Sequence, residues 1–467
     1  MPVALSLLLL LPCLLPERIQ AGDLSSHLYN TWLAQLIRAG QAPGLWLATQ
    51  RTNVLFDLML DGLWQAFGPR AAEKIAVSIA VLVFFWGAYA LACSLGRRRP
   101  VFLLPCLAML TYGWFFHSGF FNFYLSMGMS FWLLVLMLRP TRLRLLAAVP
   151  LAALAATGHA LPPAVAAGLA GYAWMAGRLA PHRRPALLAA SLLALFALGR
   201  ILSATLTTIW YPNQLMLFSG TDQVVVYGGK YLLLQLMLLA LWAGLLVRAV
   251  GLRGRARTFW DIRMHLVVLC AWAAVALPSA ILFTGYSQGL LFVAERLSFW
   301  VAVLLCGWLG IAPLRGAERA LPAVLAGLFF LFLGLDVAAV NRFEDRLSQA
   351  LRAVPEGGRV VNGVTGDSPA INPLTHVIDR ACIGRCYSFA NYEPSTRQFR
   401  VRCGRGNTIV AGSYPDAFAL QAGGYVVKAT DPALYVVFQS DGGYSTRLLR
   451  PGETLHVTPV PIPPKFF

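Results

Sequence analysis

Ala21-Gly22-Asp23-Leu24-Ser25-Ser26-His27-Leu28-Tyr29-Asn30 is a short, mostly polar stretch that follows the first apolar run of the chain. At the 3.6-residue period of a helix, Asp23, His27 and Asn30 share one face at i, i+4 and i+7, while Leu24, Leu28 and Trp32 fall elsewhere. An acid and an imidazole then face the same way just past an apolar segment. What that pair can do depends on what surrounds it.

The surroundings are those of a membrane. Over 467 residues, 58% are hydrophobic, only 12% are charged and the mean hydropathy is +0.64, whereas about a quarter of the residues of a soluble domain are charged. Apolar runs near the roughly 20 residues that cross hydrocarbon occur at about 2–16, 74–95, 100–116, 120–138, 144–157, 160–177, 186–206, 223–248, 264–284, 289–313 and 320–338. The formal charge of +18 sits in alternate gaps: Arg97 to Arg99, then Arg139, Arg142 and Arg144, then Arg178, Arg183 and Arg184, then Arg248 to Arg263, then Arg315 and Arg319. The intervening gaps are almost free of Lys and Arg, so the positive-inside rule orients the chain without conflict. The expected fold is an all-α polytopic membrane bundle of about eleven transmembrane helices, with the N-terminus inside and the C-terminal segment outside the cytoplasmic membrane. Basicity here reports topology, and no nucleic-acid partner follows from it. The first run has no basic residue before it and no small-x-small site near Ala21, which reads as a retained span with a start codon placed too late rather than a cleaved signal. Pro12 before Cys13 argues against a lipoprotein.

Residues 17–73 form a large first outside loop patterned as two amphipathic helices along the membrane surface. The first is expected over Leu24 to Ala39, with Gly40 as its stop; the plain role of Asp23 is then that of an N-cap. The second follows Arg51-Thr52-Asn53 and carries a row of Asn53, Asp57, Asp61 and Gln65, ended by Phe67-Gly68-Pro69. That row reads as a solvated face; the alternative has Asp57 or Asp61 facing the same cavity as Asp23. Farther along, outer turns carry His117-Ser118-Gly119 with Asn122, and His159 before Pro162-Pro163. Such histidines are interfacial hydrogen-bonding groups in the plain reading and weak substrate-binding candidates in the other.

Three spans carry a cation. Arg200, Lys230 and Arg296, the last beside Glu295, converge on the outer third of the bilayer, where an ionisable group must pair, face water or bind an anion; snorkelling is the competing explanation. Trp210-Tyr211-Pro212 and Gly285-Tyr286 belong to an aromatic belt, and Tyr211 is a weak candidate for stacking on a sugar.

After the last span the composition becomes polar and Gly-rich. Arg397–Cys403, Thr408–Ala411, Tyr425–Ala429, Leu434–Gln439 and Thr454–Val460 read as strands between turns, so residues 339–467 are expected to form a small β-rich outside domain beside a membrane domain of residues 1–338. Five cysteines, Cys13, Cys93, Cys106, Cys270 and Cys306, lie in spans. Cys382, Cys386 and Cys403 lie outside, where one disulfide with one cysteine left over is expected; with His376 they would otherwise make a loose Cys₃His zinc set.

No phosphate-cradling glycine loop, HExxH or paired CxxC is present. Gly366-Asp367-Ser368 matches a GDS-type esterase block in three residues only and reads better as a turn before Pro369. The order of one span, a large outside loop with an early Asp, about ten more spans and an outside domain resembles the GT-C superfamily of integral-membrane glycosyltransferases, which take a sugar from a polyprenyl-phosphate carrier. The resemblance covers residues 1 to about 338 and rests on this layout and on Gly22-Asp23-Leu24-Ser25-Ser26-His27.

That resemblance implies that Asp23 is the catalytic base or a metal partner. A second acid is implied beside it or in a neighbouring outside loop; Ser25 and Ser26 stand where it is expected, which leaves Asp57 and Glu295 as candidates and leaves open whether a divalent metal is used or no cofactor at all. Chemically, Asp23 oriented by His27 could take a proton from an acceptor hydroxyl, while Arg51, Arg200, Lys230 or Arg296 could bind the lipid phosphate. Attack opposite the phosphate would invert the anomeric centre. The partners would be membrane lipid, the polyprenyl-phosphate sugar and a glycan, lipid or protein acceptor. A transporter or flippase of a lipid-linked or anionic substrate, or a non-catalytic envelope scaffold, are the competing classes, although no inverted repeat is visible.

Overall fold

The structure, a computed structural model, describes residues 2–96, 100–312, 314, 316–368, 370–441 and 443–461. Arg97, Arg98, Arg99 and Arg315 of the expected inside gaps, and the expected turn residue Pro369, lie outside the described residues. The chain is mostly helical, and every one of the eleven apolar runs carries helix. Among the described residues, six helices are long and apolar enough to cross a membrane: Pro69–Gly96, Val101–Ser118, Phe121–Leu138, Pro181–Thr205, Lys230–Arg253 and Glu318–Ala353. The other runs are shorter or less apolar, among them Pro2–Leu14, Arg142–Gly158, Leu161–Arg178, Ile262–Ala276 and Val293–Leu309. The run expected over 264–284 ends early because Leu277 precedes Pro278 and is extended, at φ −102° and ψ 148°, where the proline ring disfavours helix.

Ten short strands are found among the described residues: β1 (Leu45–Leu47), β2 (Thr207–Ile209), β3 (Ala280–Leu282), β4 (Arg359–Asn362), β5 (Val364–Gly366), β6 (Tyr387–Ser388), β7 (Val401–Cys403), β8 (Leu434–Ser440), β9 (Gly443–Leu448) and β10 (Thr458–Val460).

The fold separates into two compact units that are discontinuous in sequence. One comprises residues 80–115 and 123–331. Its helices approach closely at small residues: a Cβ on Gly87 would lie 2.5 Å from the Gly128 carbonyl oxygen, and one on Gly128 would lie 2.7 Å from Phe84 Cα, the contact by which apolar helices pack without a hydrophobic driving force. A short antiparallel ribbon of β2 and β3 lies in the same unit.

The other unit comprises residues 1–79, 116–122 and 332–467, so the compact units do not follow a division at residue 338. It is built on a four-stranded sheet in the order β6-β4-β8-β9, with β4 parallel to both neighbours and β8–β9 an antiparallel hairpin. Parallel strands need crossovers, and two helices, Val377–Cys382 and Tyr414–Ala422, lie in the connections. The C-terminal segment is therefore mixed α/β rather than β-rich. Thr408–Ala411 forms no strand because Asn407 Oδ1 accepts from the Ile409 and Val410 amides at 3.0 and 3.3 Å, a local turn that competes with a ladder. Of Tyr425–Ala429 only Val426 reaches an isolated bridge, to Thr454.

The first loop is part of this core. Strand β1 pairs antiparallel with β7, setting Leu45, Trp46 and Leu47 against Cys403, Arg402 and Val401. The Leu24–Arg38 helix buries Tyr29 and Leu33 completely in a cluster with Val340, Phe343, Leu347, Val360, Cys382 and Val437, and the Tyr29 hydroxyl accepts from the Ser388 amide at 2.9 Å. The apolar face assigned to the membrane surface is turned into protein, since amphipathicity alone does not say whether lipid or side chains cover that face. Each such side chain contributes about 1.5–3 kcal/mol by burial. Asp61, expected on a solvated face, is clamped by Arg38 at 2.5 and 2.9 Å and by Arg400 at 2.6 Å. Cys382 and Cys386 form the disulfide and Cys403 is the remaining cysteine, buried at 5% exposure; with two thiols consumed, the Cys₃His set does not form.

Candidate functional site

The turn at residues 116–122 fixes the start of the Leu24–Arg38 helix. The Gly22 amide donates to the His117 carbonyl at 2.8 Å and the Asp23 amide to the Ser118 carbonyl at 3.0 Å. Gly119, at φ +83°, comes so close that a Cβ there would lie 2.3 Å from the Asp23 nitrogen; only glycine combines this conformation with this approach. His117 itself is buried, with Nδ1 2.8 Å from the Gln20 carbonyl, and serves the turn. Asp23 precedes the helix as expected, but its side chain caps no amide. It is turned to another partner.

That partner is His376, whose Nε2 stands 3.5 Å from Asp23 Oδ1. His376 Nδ1 donates to Asp379 Oδ2 at 3.0 Å, and the Ser388 hydroxyl donates to the other Asp379 oxygen. Both side chains are enclosed, at 6% and 4% exposure, while Asp23 keeps 24%. His376 sits at φ +59°, a left-handed conformation that costs about 1–3 kcal/mol in a non-glycine residue and persists where the surroundings over-determine it.

One turn along the helix, His27 Nδ1 donates to Asp57 Oδ1 at 2.6 Å. Asn122 steers that acid: its amide donates to Asp57 Oδ2 at 2.7 Å, and its carbonyl oxygen accepts from the Phe56 amide at 2.8 Å. A fourth carboxyl, Glu393, is buried and accepts from the Ser26 hydroxyl at 2.9 Å; next to it, the Asn391 side-chain amide donates to Asn30 Oδ1 at 2.9 Å. Tyr392 lays its ring 5.3 Å from that of His376.

Electrostatics divides these groups. Burial opposes the charged form of His27, but Asp57, then Glu393 and Asp23, outweigh it and lift the imidazole to about 9. Burial likewise opposes His376, and Asp379 followed by Asp23 lifts it. Burial and then the Asp57 charge push the Glu393 carboxyl well above its usual range. At neutral pH His27 is therefore an imidazolium held on Asp57, and Asp23 is the carboxylate with most access to solvent among the three aspartates of the cluster.

The remaining sequence candidates separate from this group. Arg51 belongs to the same unit and is exposed in the bend before the Leu55–Phe67 helix. Glu295, Arg200, Lys230, Arg296, His159 and Tyr211 all belong to the other unit. There, Arg296 is 8% exposed, with Nε donating to the Leu291 carbonyl at 3.0 Å and its guanidinium 4.2 Å from the centre of the Phe123 ring. Arg200 lies on an exposed face of the Arg184–Thr205 helix, which fits snorkelling, and Lys230 is 5.6 Å from the Tyr231 ring. His159 Nδ1 accepts from the Leu161 amide at 3.2 Å and its carbonyl from Ser126 at 2.8 Å, a turn-holding role. Tyr211 is exposed, and the backbone carbonyl of Glu295 accepts from Gln223 at 3.1 Å.

Sequence reasoning reached Asp23, His27 and Asp57 but missed Asp379 and Glu393, and gave His376 only to a zinc set. The pairing of each aspartate with a histidine leaves no convergent ligand set: among the described residues no group of three or more His, Cys, Asp or Glu side chains is arranged to hold a metal. No protein-family model, curated protein or solved structure matches the chain.

Proposed function

We propose that the protein is a membrane glycosyltransferase that moves a sugar from a polyprenyl-phosphate donor to an acceptor hydroxyl at the outer face of the cytoplasmic membrane. In this reading the N-terminus lies inside and the C-terminal segment outside, as the arginine distribution indicates. The observation that carries it is the pairing of Asp23 with His376 and of Asp57 with His27 in one cluster, in a chain whose described residues include six helices able to cross a membrane.

The acceptor oxygen attacks the anomeric carbon as the bond to the phosphate oxygen breaks. The acceptor proton passes to Asp23, and polyprenyl phosphate leaves with the bonding electrons. Asp23 is the catalytic residue, and His376, fixed by Asp379, is a positioning residue that holds the Asp23 carboxylate and balances its charge. Asp57 with His27 sets the field beside it. Arg51, exposed in the same unit, is the cation assigned to the lipid phosphate. Attack on the side opposite the phosphate inverts the anomeric configuration.

The test is transfer from a labelled polyprenyl-phosphate sugar in membranes containing wild-type protein or Asp23→Asn. General-base catalysis is worth roughly 10²–10⁴-fold, so the variant is expected to lose at least about a hundredfold. Wild-type transfer that survives in the variant removes Asp23 from this role; unchanged donor affinity in Arg51→Ala removes Arg51 from the phosphate site.

A further inference from the structure

Strand β4 is flanked by β6 on one side and β8 on the other, all parallel. The chain leaves β4 and reaches β6 after the Val377–Cys382 helix, then passes through the Tyr414–Ala422 helix to β8 on the opposite side of β4. Connections from the carboxyl ends of neighbouring strands therefore diverge. In an open α/β sheet that divergence opens a crevice beyond the strand ends, the place where ligands bind irrespective of chemistry.

A cleft of about 250 Å³ lies there, lined by Asn362 at the end of β4 and by Thr365, Thr375, His376, Phe418 and Gln421. Its walls are held by hydrogen bonds within the protein. Asn372 accepts from the Gly366 and Leu374 amides at 2.9 and 3.0 Å and donates to Thr365 Oγ1 at 2.8 Å, and Gln421 donates to the Ala390 carbonyl at 2.8 Å. No Lys or Arg is among the described residues that line it, and the acid in its wall, Asp379, is engaged by His376 and Ser388. The lining is about half apolar, with Leu374, Ile378 and Leu420 beside the amides and hydroxyls, and one aromatic ring, Phe418, is 57% exposed. This mixture suits a neutral, hydroxyl-rich ring, whose polar edges take hydrogen bonds and whose C–H faces rest on the aromatic and aliphatic side chains. The volume lies just under the roughly 300–1,000 Å³ of drug-sized pockets and so suits a single ring.

We infer that this crevice is an anchoring subsite that takes one neutral sugar residue of a glycan acceptor. The role as acceptor subsite rests on the glycosyl-transfer reading. His376 joins the two places, since it lines the cleft and turns Nε2 toward Asp23.

The test uses full-length protein in lipid nanodiscs and saturation-transfer NMR with the methyl glycosides of glucose, galactose, mannose and arabinose, and with glucose 6-phosphate. At least one neutral glycoside is expected to bind. Phe418→Ala should weaken it about tenfold, or about 1.4 kcal/mol, and Phe418→Trp, which keeps an aromatic face, should stay within about twofold of wild type. No binding by any of the four neutral glycosides, binding indifferent to Phe418→Ala, or tighter binding of glucose 6-phosphate overturns the subsite. The same preparation is assayed for transfer from the labelled lipid donor. Glycoside binding without any transfer leaves the subsite standing and removes its acceptor role; transfer without glycoside binding removes the subsite and leaves the glycosyl-transfer reading standing.

Discussion

Removing the Asp57 carboxylate gives the sharpest prediction, because His27 depends on it. In the folded protein His27 titrates at about 9 instead of 6.5, with Asp57 the largest contributor against burial. A group whose folded value is raised stabilises the fold fully below its unfolded value, and that stabilisation is lost as pH rises through the folded value. The window is therefore about pH 6.5–9, and the stabilisation lost across it is about 3 kcal/mol at 1.36 kcal/mol per pH unit. Glu393, also raised and partly by Asp57, acts in the same direction, since its folded carboxyl likewise holds a proton that the unfolded chain has released. Asp57→Asn should thus melt well below wild type at pH 6.5, and the gap should close by about pH 9. For a unit of about 220 residues, at roughly 2–4 °C per kcal/mol, the gap closes by about 6–12 °C. The assay is the thermal midpoint of full-length protein in detergent by intrinsic fluorescence, for both proteins at half-unit pH steps from 6 to 9.5. A gap that is constant with pH, or that widens toward pH 9, refutes the electrostatic account of the His27–Asp57 pair.

Other outcomes follow from the same geometry. Gly119→Ala forces a Cβ toward the Asp23 nitrogen at a positive φ and should cost about 2–4 kcal/mol, read as a lowered midpoint together with lost transfer. Asp61→Ala leaves Arg38 and Arg400 facing each other without their carboxylate and should cost about 3 kcal/mol; the double variant Asp61→Ala with Arg400→Ala should recover part of it, and strict additivity of the two single effects would argue against the clamp. His376→Gln should lower kcat while leaving donor KM near wild type and move the pH profile of transfer, whereas an unchanged profile would reduce His376 to a structural role. Cys382→Ser with Cys386→Ser should cost about 2 kcal/mol for so short a loop, visible as a midpoint difference that vanishes when both proteins are measured under reducing conditions.

The helical runs were legible because hydrocarbon demands continuous apolar sequence, and the start of the Leu24–Arg38 helix because Asp23 and Gly40 mark its ends. Asp23, His27 and Asp57 were legible as candidates because they stand one helical turn apart or on the next amphipathic helix. Asp379 and Glu393 were not, because each meets its partners across more than three hundred residues or inside a six-residue helix, where no periodic pattern exists to read. Asp61 was misread for a related reason. Its row looks polar whether water or arginine faces it, and Arg400 lies 339 residues away. The C-terminal segment was read as β-rich because β-branched runs suit both strands and the irregular stretch that Asn407 turns away from the sheet.

The pairing of β1 with β7 joins residue 45 to residue 403, and the ribosome makes them far apart in time. At roughly 5–20 residues per second, the first partner waits on the order of 20–70 s for the second, with the apolar faces of Tyr29 and Leu33 lacking the Val360 and Val437 that later cover them. The first loop thus emerges as an unfinished half, its apolar face without those partners until the last quarter of the chain is delivered. A ribosome that stops before that last quarter therefore makes a chain with every apolar run in place and no cluster around Asp23.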